Sequence, residues 1–358
     1  MATRLERLRA TLAEKQYDAL LVTQPENRRY MSGFTGSAGY LVIGAKGGAV
    51  LMTDFRYTEQ AALQAPAFEV RQLAGGLSTW LPEVLTELGA KKLAFDANHV
   101  TYSLFQALSK AVEDKGVDLV PDSETIEIQR AIKEPEEIAA IHRAQDLTGD
   151  AYEHVFHNVM HAGMTERQVA WELEKYIREH GGEGLAFETI VAAGPNAARP
   201  HHHPGDDVIL EGQPVVLDFG AKVDGYCADM TRTVCLGQQD DQFKRVYDLV
   251  LSAQLTAESL IKTGITGEEA DGYARKVIAD AGHGEHFGHS LGHGIGLYVH
   301  EYPRVAQRAT NLLEDGMVFS NEPGVYLTGW GGVRIEDLLV LEAGKVRNIT
   351  KASKLSTE

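Results

Sequence analysis

Asp224-Gly225 constrains this chain more than any other dipeptide in it. A two-residue hairpin turn needs positive φ at both central residues, and Asp-Gly is among the few pairs that supply it. Gln213-Pro-Val-Val-Leu-Asp-Phe219 reads as the incoming strand and residues 226–234 as the outgoing one. With a two-residue loop, Val223 faces Tyr226 and Asp218 faces Thr231. Side chains alternate with period two, so Asp229 shares the face of Thr231. It becomes a diagonal neighbour of Asp218, with Cα atoms roughly 7–8 Å apart. Two solvated aspartates are the plain alternative. Val215, Val216, Leu217, Phe219 and Met230 argue against it, because they are the residues of a buried strand. Like charges on a buried face need a counter-ion, and a metal is the simplest one.

Two further segments carry candidate ligands. Residues 286–300 hold His286, His289, His293 and His300 among glycines, which let backbone approach a ligand closely. A lone histidine is more often a satisfied core residue; several on one glycine-rich loop favour chemistry. Residues 317–321 read as a strand leading into Glu322-Pro-Gly, and residues 333–340 as another. In the latter, Arg334 and Glu336 share one face while Val333, Ile335 and Asp337 take the other. Singly, Glu322 reads as an exposed turn acid and Glu336 as a partner of Arg334. Beside the aspartate hairpin, both read as ligands.

At 358 residues the chain is long enough for two domains. Apolar runs at 18–23, 40–43, 49–52 and 92–95, with helical stretches at 57–64 and 104–112, make the first an α/β unit. Gly33, Gly36 and Gly39 fit no phosphate-binding spacing and read as a loop. The polar, turn-rich residues 121–125 mark a boundary, giving domains 1–125 and 126–358. Beyond it, Pro135 opens a long helix. Thr165 with Gln168, and Thr266 with Glu269, are capping boxes that open two more, closed by Gly181-Gly182 and Gly282. A net charge of −17 repels phosphate backbones, so nucleic acid is not an expected partner. No apolar run approaches the ~18 residues that span a bilayer. The N-terminus lacks a secretory signal's basic and apolar regions. Cys227 and Cys235 are too few for a disulfide framework and read as buried thiols. The cytoplasm is the expected compartment.

Together these motifs resemble the creatinase-fold (pita-bread) metallopeptidases, specifically the Xaa-Pro peptidases, prolidase and aminopeptidase P. The resemblance rests on Leu217-Asp-Phe-Gly220, Asp229-Met-Thr-Arg-Thr233, Gly288-His-Ser-Leu-Gly-His-Gly-Ile-Gly296, Glu322-Pro-Gly324 and Gly332-Val-Arg-Ile-Glu-Asp337, in that order. Asn27-Arg-Arg-Tyr-Met-Ser-Gly-Phe-Thr-Gly36, Thr53-Asp-Phe-Arg-Tyr57 and Ile132-Lys-Glu-Pro-Glu-Glu-Ile138 extend it over nearly the whole chain. It implies an α/β (α+β) chain: a smaller creatinase-type N-terminal domain followed by a pita-bread catalytic domain. Asp218 would chelate one divalent ion, Asp229 and Glu336 would bridge two, and His293 with Glu322 would complete the second. An oxygen-rich set with one imidazole suits Mn²⁺ and tolerates Co²⁺ or Zn²⁺.

Thr231 and Arg334 stand where they would orient Asp229 and Glu336. His289 and His300 would hold the scissile carbonyl. His201 matches the remaining substrate-side histidine, although His202 and His203 leave that choice open. Glu322 would shuttle the proton. Tyr298 stands where many relatives have an acid. The implied substrate is a peptide with proline at the second position. Arg304 resembles a prolidase feature that grips a dipeptide's free carboxylate, the plain alternative being a solvated loop arginine. The reading therefore leans to a dipeptidase over an aminopeptidase. A methionine aminopeptidase normally lacks the large N-terminal domain, and non-enzymatic pita-bread modules usually lose ligands that this chain keeps. The resemblance also implies a homodimer or a tetramer.

Overall fold

In the computed structural model, which describes residues 2–357, the four apolar runs of the first third become β1 (Ala19–Val22), β2 (Tyr40–Gly44), β3 (Ala49–Thr53) and, after β4 (Glu69–Gln72), β5 (Lys92–Asp96). With β6 (Asp118–Asp122) they form a six-stranded sheet of order β4-β3-β2-β1-β5-β6. β1, β2 and β3 run antiparallel in turn, and β4, β5 and β6 join in parallel. The outermost strands, β4 and β6, escape the sequence reading because they are half exposed and carry no apolar run. Around the sheet lie α1 (Arg4–Glu14), α2 (Pro25–Ser32), α3 (Thr58–Gln64), α4 (Leu77–Glu87) and α5 (Tyr102–Val112). Leu81, Val84, Leu85 and Leu108 pack on Leu21, Val42 and Leu93. The glycine cluster is a loop closed around a buried arginine: Arg28 donates from Nη1 to the Gly39 carbonyl and from Nη2 to that of Gly36. Residues 121–125 finish β6 and begin α6 (Thr125–Ala131), so the chain divides after Arg130 rather than at 125.

The second unit, from Ala131 onward, opens with α7 (Pro135–Asn158). α8 (Glu166–Glu179) starts with the expected capping box, Thr165 accepting from the Gln168 amide while Gln168 accepts from Thr165. α9 (Asp241–Leu260), capped by Asp240, is a helix the sequence reading does not contain. It packs on α10 (Gly267–Asp280), which begins with the Thr266–Glu269 capping box.

Six short strands form the aspartate hairpin and its partners, β7 (Gly184–Leu185), β8 (Ile190–Ala193), β9 (Pro214–Phe219), β10 (Ala221–Val223), β11 (Tyr226–Cys227) and β12 (Met230–Cys235), while β13 (Gly292–Gly294) belongs to another sheet. The hairpin keeps the expected register, Val223 opposite Tyr226 and Asp218 opposite Thr231, with Asp224 and Gly225 both at positive φ. It is not one continuous ladder. At Gly220 the returning limb comes so close that a Cβ would lie 1.8 Å from the Ala228 carbonyl oxygen. The chain bends there, so β9 pairs with β12 and β8 while β10 pairs with β11 and β7.

The remaining strands are β14 (Glu301–Val305), β15 (Val318–Asn321), β16 (Gly324–Leu327), β17 (Gly331–Arg334), β18 (Asp337–Glu342) and β19 (Lys345–Asn348). β14-β13-β15-β18-β19 form a sheet, and β16-β17 a separate hairpin. The single strand expected over 333–340 is thus two strands in two sheets. Ile335 and Glu336 lie between them, and the Glu336 amide donates instead to the Thr231 carbonyl at 3.0 Å. Phe243, Tyr247 and Val250 of α9 join Ala270, Ala274, Phe319 and Leu339 in one core; Tyr152, Leu173, Leu217 and Phe219 belong to another. Cys227 and Cys235 are buried and unbridged. No helix among the described residues is long and apolar enough to cross a membrane.

Candidate metal centre and active site

Each candidate acid sits at or beside the end of a strand. Asp218 is one residue short of the end of β9, Asp229 precedes β12, Glu322 separates β15 from β16, and Glu336 separates β17 from β18. His293 is the middle residue of β13. These five side chains, with His201, His289, His300 and Arg334, line one cavity of about 620 Å³ in the second unit.

His293 Nδ1 lies 3.1 Å from the Gly294 carbonyl oxygen, to which only an N–H can point. Its proton is therefore on Nδ1, and Nε2 turns a lone pair toward Asp229 Oδ2 at 3.5 Å and Glu322 Oε1 at 3.3 Å. Burial holds the ring below the usual histidine range, that is, neutral. Asp229, His293 and Glu336 each offer one donor atom within 4.8 Å of the others. Asp218 Oδ1 and Glu336 Oε1 are buried and, among the described residues, have no hydrogen-bond partner. Burial, then the neighbouring carboxylates, push Asp229 and Glu336 well above the ordinary carboxylate range. Glu322 rises to about 8 for the same first reason. Acceptors facing acceptors, with two oxygens unpartnered, make a donor set that divalent cations fit.

Around this cluster several polar groups are tied to it by hydrogen bonds. Thr231 donates to Glu336 Oε2 at 2.7 Å and accepts from Arg334 Nε at 3.0 Å. Arg334 was expected to orient Asp229 or Glu336; its Nη2 instead pairs with Asp218, because β17 packs beside β9. Ser320 donates to Glu322 Oε1 at 3.0 Å and accepts the His293 amide. Tyr326 accepts from Arg334 Nη1 at 2.9 Å, and its hydroxyl lies 2.8 Å from His289 Nε2. The sequence reading contains neither Ser320 nor Tyr326. Ser320 had a signal, two positions before Glu322 on a strand and so on its face. Tyr326 had none, since it meets Arg334 only through the β16–β17 pairing.

The three histidines behave differently. His289 Nδ1 faces the Ser290 carbonyl at 2.8 Å, so that nitrogen holds the proton and Nε2 accepts from Tyr326. Both nitrogens are engaged, which differs from the expected grip on a substrate carbonyl. Burial and the charge of Arg334 push this ring down to about 4. Among the described residues His300 has no hydrogen-bond partner; its ring stands 4.3 Å from that of His293 and opens on the cavity. His202 is tied to Glu166 at 2.7 Å and His203 is largely exposed beside Glu188; both line the cavity together with His201. Arg304 lies opposite His293 across the β13–β14 ladder, exposed and outside the cavity lining. Tyr298 is exposed too, its amide donating to Glu301.

An α/β unit followed by one that gathers four acids and a histidine from separate strand ends defines a two-domain metallopeptidase. Residues 139–343 match the model of metallopeptidase family M24 and residues 4–132 that of the creatinase/prolidase N-terminal domain; the chain belongs to family M24. It is 43% identical over 351 residues to an uncharacterized peptidase of Bacillus subtilis, YqhT, covering 98% of each chain. An Xaa-Pro dipeptidase from Bacillus anthracis superposes with a TM-score of 0.94 at 42% identity, covering 98% of each. An X-Pro aminopeptidase from Thermotoga maritima gives 0.88 at 38%, covering 99% of each.

Proposed function

We propose that this chain hydrolyses the Xaa-Pro bond, with dipeptides as its preferred substrates, using two divalent cations. The observation that carries the reading is the neutral His293 Nε2 facing Asp229 and Glu322 beside two unpartnered carboxylate oxygens. Asp218 would hold one cation, Asp229 and Glu336 both, and His293 with Glu322 the other; the oxygen-rich set favours Mn²⁺. Bound there, two cations lower the pKa of water and polarise a carbonyl. The similarity to a dipeptidase at 42% identity supports the substrate class.

The protein's own groups then have defined tasks. An Xaa-Pro bond has no N–H, so a site must take its carbonyl instead. His300, unpartnered and neutral, offers an N–H to that oxygen. Ser320 holds Glu322 Oε1, which leaves Oε2 to carry a proton from the nucleophile to the proline nitrogen. His201 faces the substrate from the cavity wall, and Arg304, although exposed and outside that lining, is the group expected to meet the free carboxylate of a dipeptide. A homodimer or a tetramer belongs to the same reading and rests on the resemblance.

The test compares Ala-Pro with Ala-Pro-Ala at matched concentrations, before and after chelation and with Mn²⁺ restored. The dipeptide should be cleaved faster, chelation should stop both reactions, and Arg304→Ala should raise KM for Ala-Pro alone. Faster tripeptide cleavage would make the enzyme an aminopeptidase. Cleavage that survives complete chelation would end the metal reading.

A further inference from the structure

Glu166 is the first residue of α8, 0% exposed at its side chain, and it lies outside the catalytic cavity. A carboxylate so deep is costly unless donors surround it. Four do. Oε1 accepts from the Ala193 amide at 2.9 Å and from Asn196 Nδ2 at 2.9 Å. Oε2 accepts from His202 Nε2 at 2.7 Å and from the Gly205 amide at 3.0 Å. These donors are spread along one excursion of the chain, from the end of β8 through the Pro200-His201-His202-His203 stretch. Both ends of that excursion are fastened at the start of α8. The Glu166 amide donates to the Asp207 carbonyl and the Arg167 amide to that of Gly205, while Asn196 Nδ2 also reaches Asp207 Oδ2. At the apex, the Pro200 carbonyl faces Arg334 Nη1 at 3.5 Å.

We infer that Glu166 and His202 are positioning residues: the carboxylate fixes His202, and His202 fixes the cavity-facing direction of its neighbour His201. His201 sits in the turn that the His202 amide closes on the Arg199 carbonyl at 3.1 Å, so a His202 ring fixed on Glu166 holds one end of the turn that carries His201. All three consecutive histidines line the cavity, and among the described residues the middle one is the one whose ring a buried anion holds. The bonds to Glu166 keep that turn, and with it the place of His201, rigid. This inference rests on the proposed substrate-side place of His201.

The experiment is a double-mutant cycle on the metal-loaded enzyme with Ala-Pro, accompanied by melting temperature and bound-metal count. His202→Ala should lower kcat/KM by about tenfold or more, the scale of losing a group that orients another. Metal content should not change. His202→Gln, which keeps an N–H donor at a similar reach, should recover most of the loss. In a His201→Ala background, His202→Ala should cost nothing further, because its effect passes through the missing ring. A merely structural role would instead give the same loss in both backgrounds, and that additivity overturns the anchor. So does a Gln variant as poor as the Ala variant, or a His202→Ala enzyme with unchanged kcat/KM. If His201→Ala alone leaves kcat/KM intact, the substrate-side place of His201 fails and the inference with it; a loss there, with additive costs, sinks the anchor alone.

Discussion

Glu336 and Asp337 are adjacent, equally buried and oppositely supplied. Asp337 Oδ1 receives Arg232 Nη2 at 2.8 Å, and Oδ2 receives Lys354 Nζ at 2.7 Å and Asn348 Nδ2 at 2.8 Å. Burial alone would raise its carboxyl, yet Arg232 and Lys354 hold it below the usual range. Glu336, on the other face, has one hydroxyl on Oε2 and nothing on Oε1, and stays well above that range. An acid that owns its cations is part of the scaffold. An acid set among acids is waiting for cations from outside. The two are mechanically joined, because Arg232 also donates from Nη1 to the Glu336 carbonyl at 2.7 Å and to that of Thr231.

This contrast can be tested residue by residue. Asp337→Ala leaves Arg232 charged and buried without its partner, so unfolding in urea should show a loss of about 3–5 kcal/mol. A loss under 1 kcal/mol would mean that Asp337 is not scaffold. Glu336→Gln should do the reverse. Metal analysis should find fewer bound ions and kcat/KM should fall about 10²–10³-fold, while the metal-free protein should unfold no more easily than the parent. A metal-free variant clearly weaker than the parent would put Glu336 in the scaffold too.

The smallest effect concerns pH. Glu322, raised to about 8, binds a proton in the folded metal-free protein that the unfolded chain has released by then. Its contribution to stability is full at low pH and lost as pH climbs toward about 8. His289 and His300, lowered to about 4, act oppositely, gaining stability as pH rises, but only up to the ordinary histidine value of 6.5. Between 6.5 and 8 the carboxyl is therefore unopposed among these groups. The metal-free Tm should fall by on the order of a few degrees across that window, and the metal-loaded Tm should not. Parallel curves would refute it.

What could be read without coordinates was whatever a local rule dictates. The Asp224-Gly225 turn sets the register, and a slip of one residue would turn Asp218 outward, so the pairing with Thr231 is legible. The two threonine capping boxes are legible for the same reason. The five candidate ligands are read from the conjunction of motifs, and their side chains line one cavity. What escaped depends on distant partners. The bend at Gly220 is decided by the Ala228 carbonyl across the hairpin. The Tyr326 hydroxyl meets a histidine 37 positions away. Glu166 looks like any acid in a first helical turn until the loop it anchors is seen. The α9 helix is a different omission: Phe243, Val246, Tyr247 and Val250 keep a helical period and needed only to be noticed.

That each ligand-bearing acid stands at a strand end has a further effect. Strand ends are where a sheet begins to peel, and here several of them would be knotted together by the same pair of ions. Loading would then act as a reversible cross-link between remote stretches of the folded chain, restricting its local openings. Amide exchange at the inner ends of β9, β15 and β17 should slow on loading more than exchange in the six-stranded sheet of the first unit.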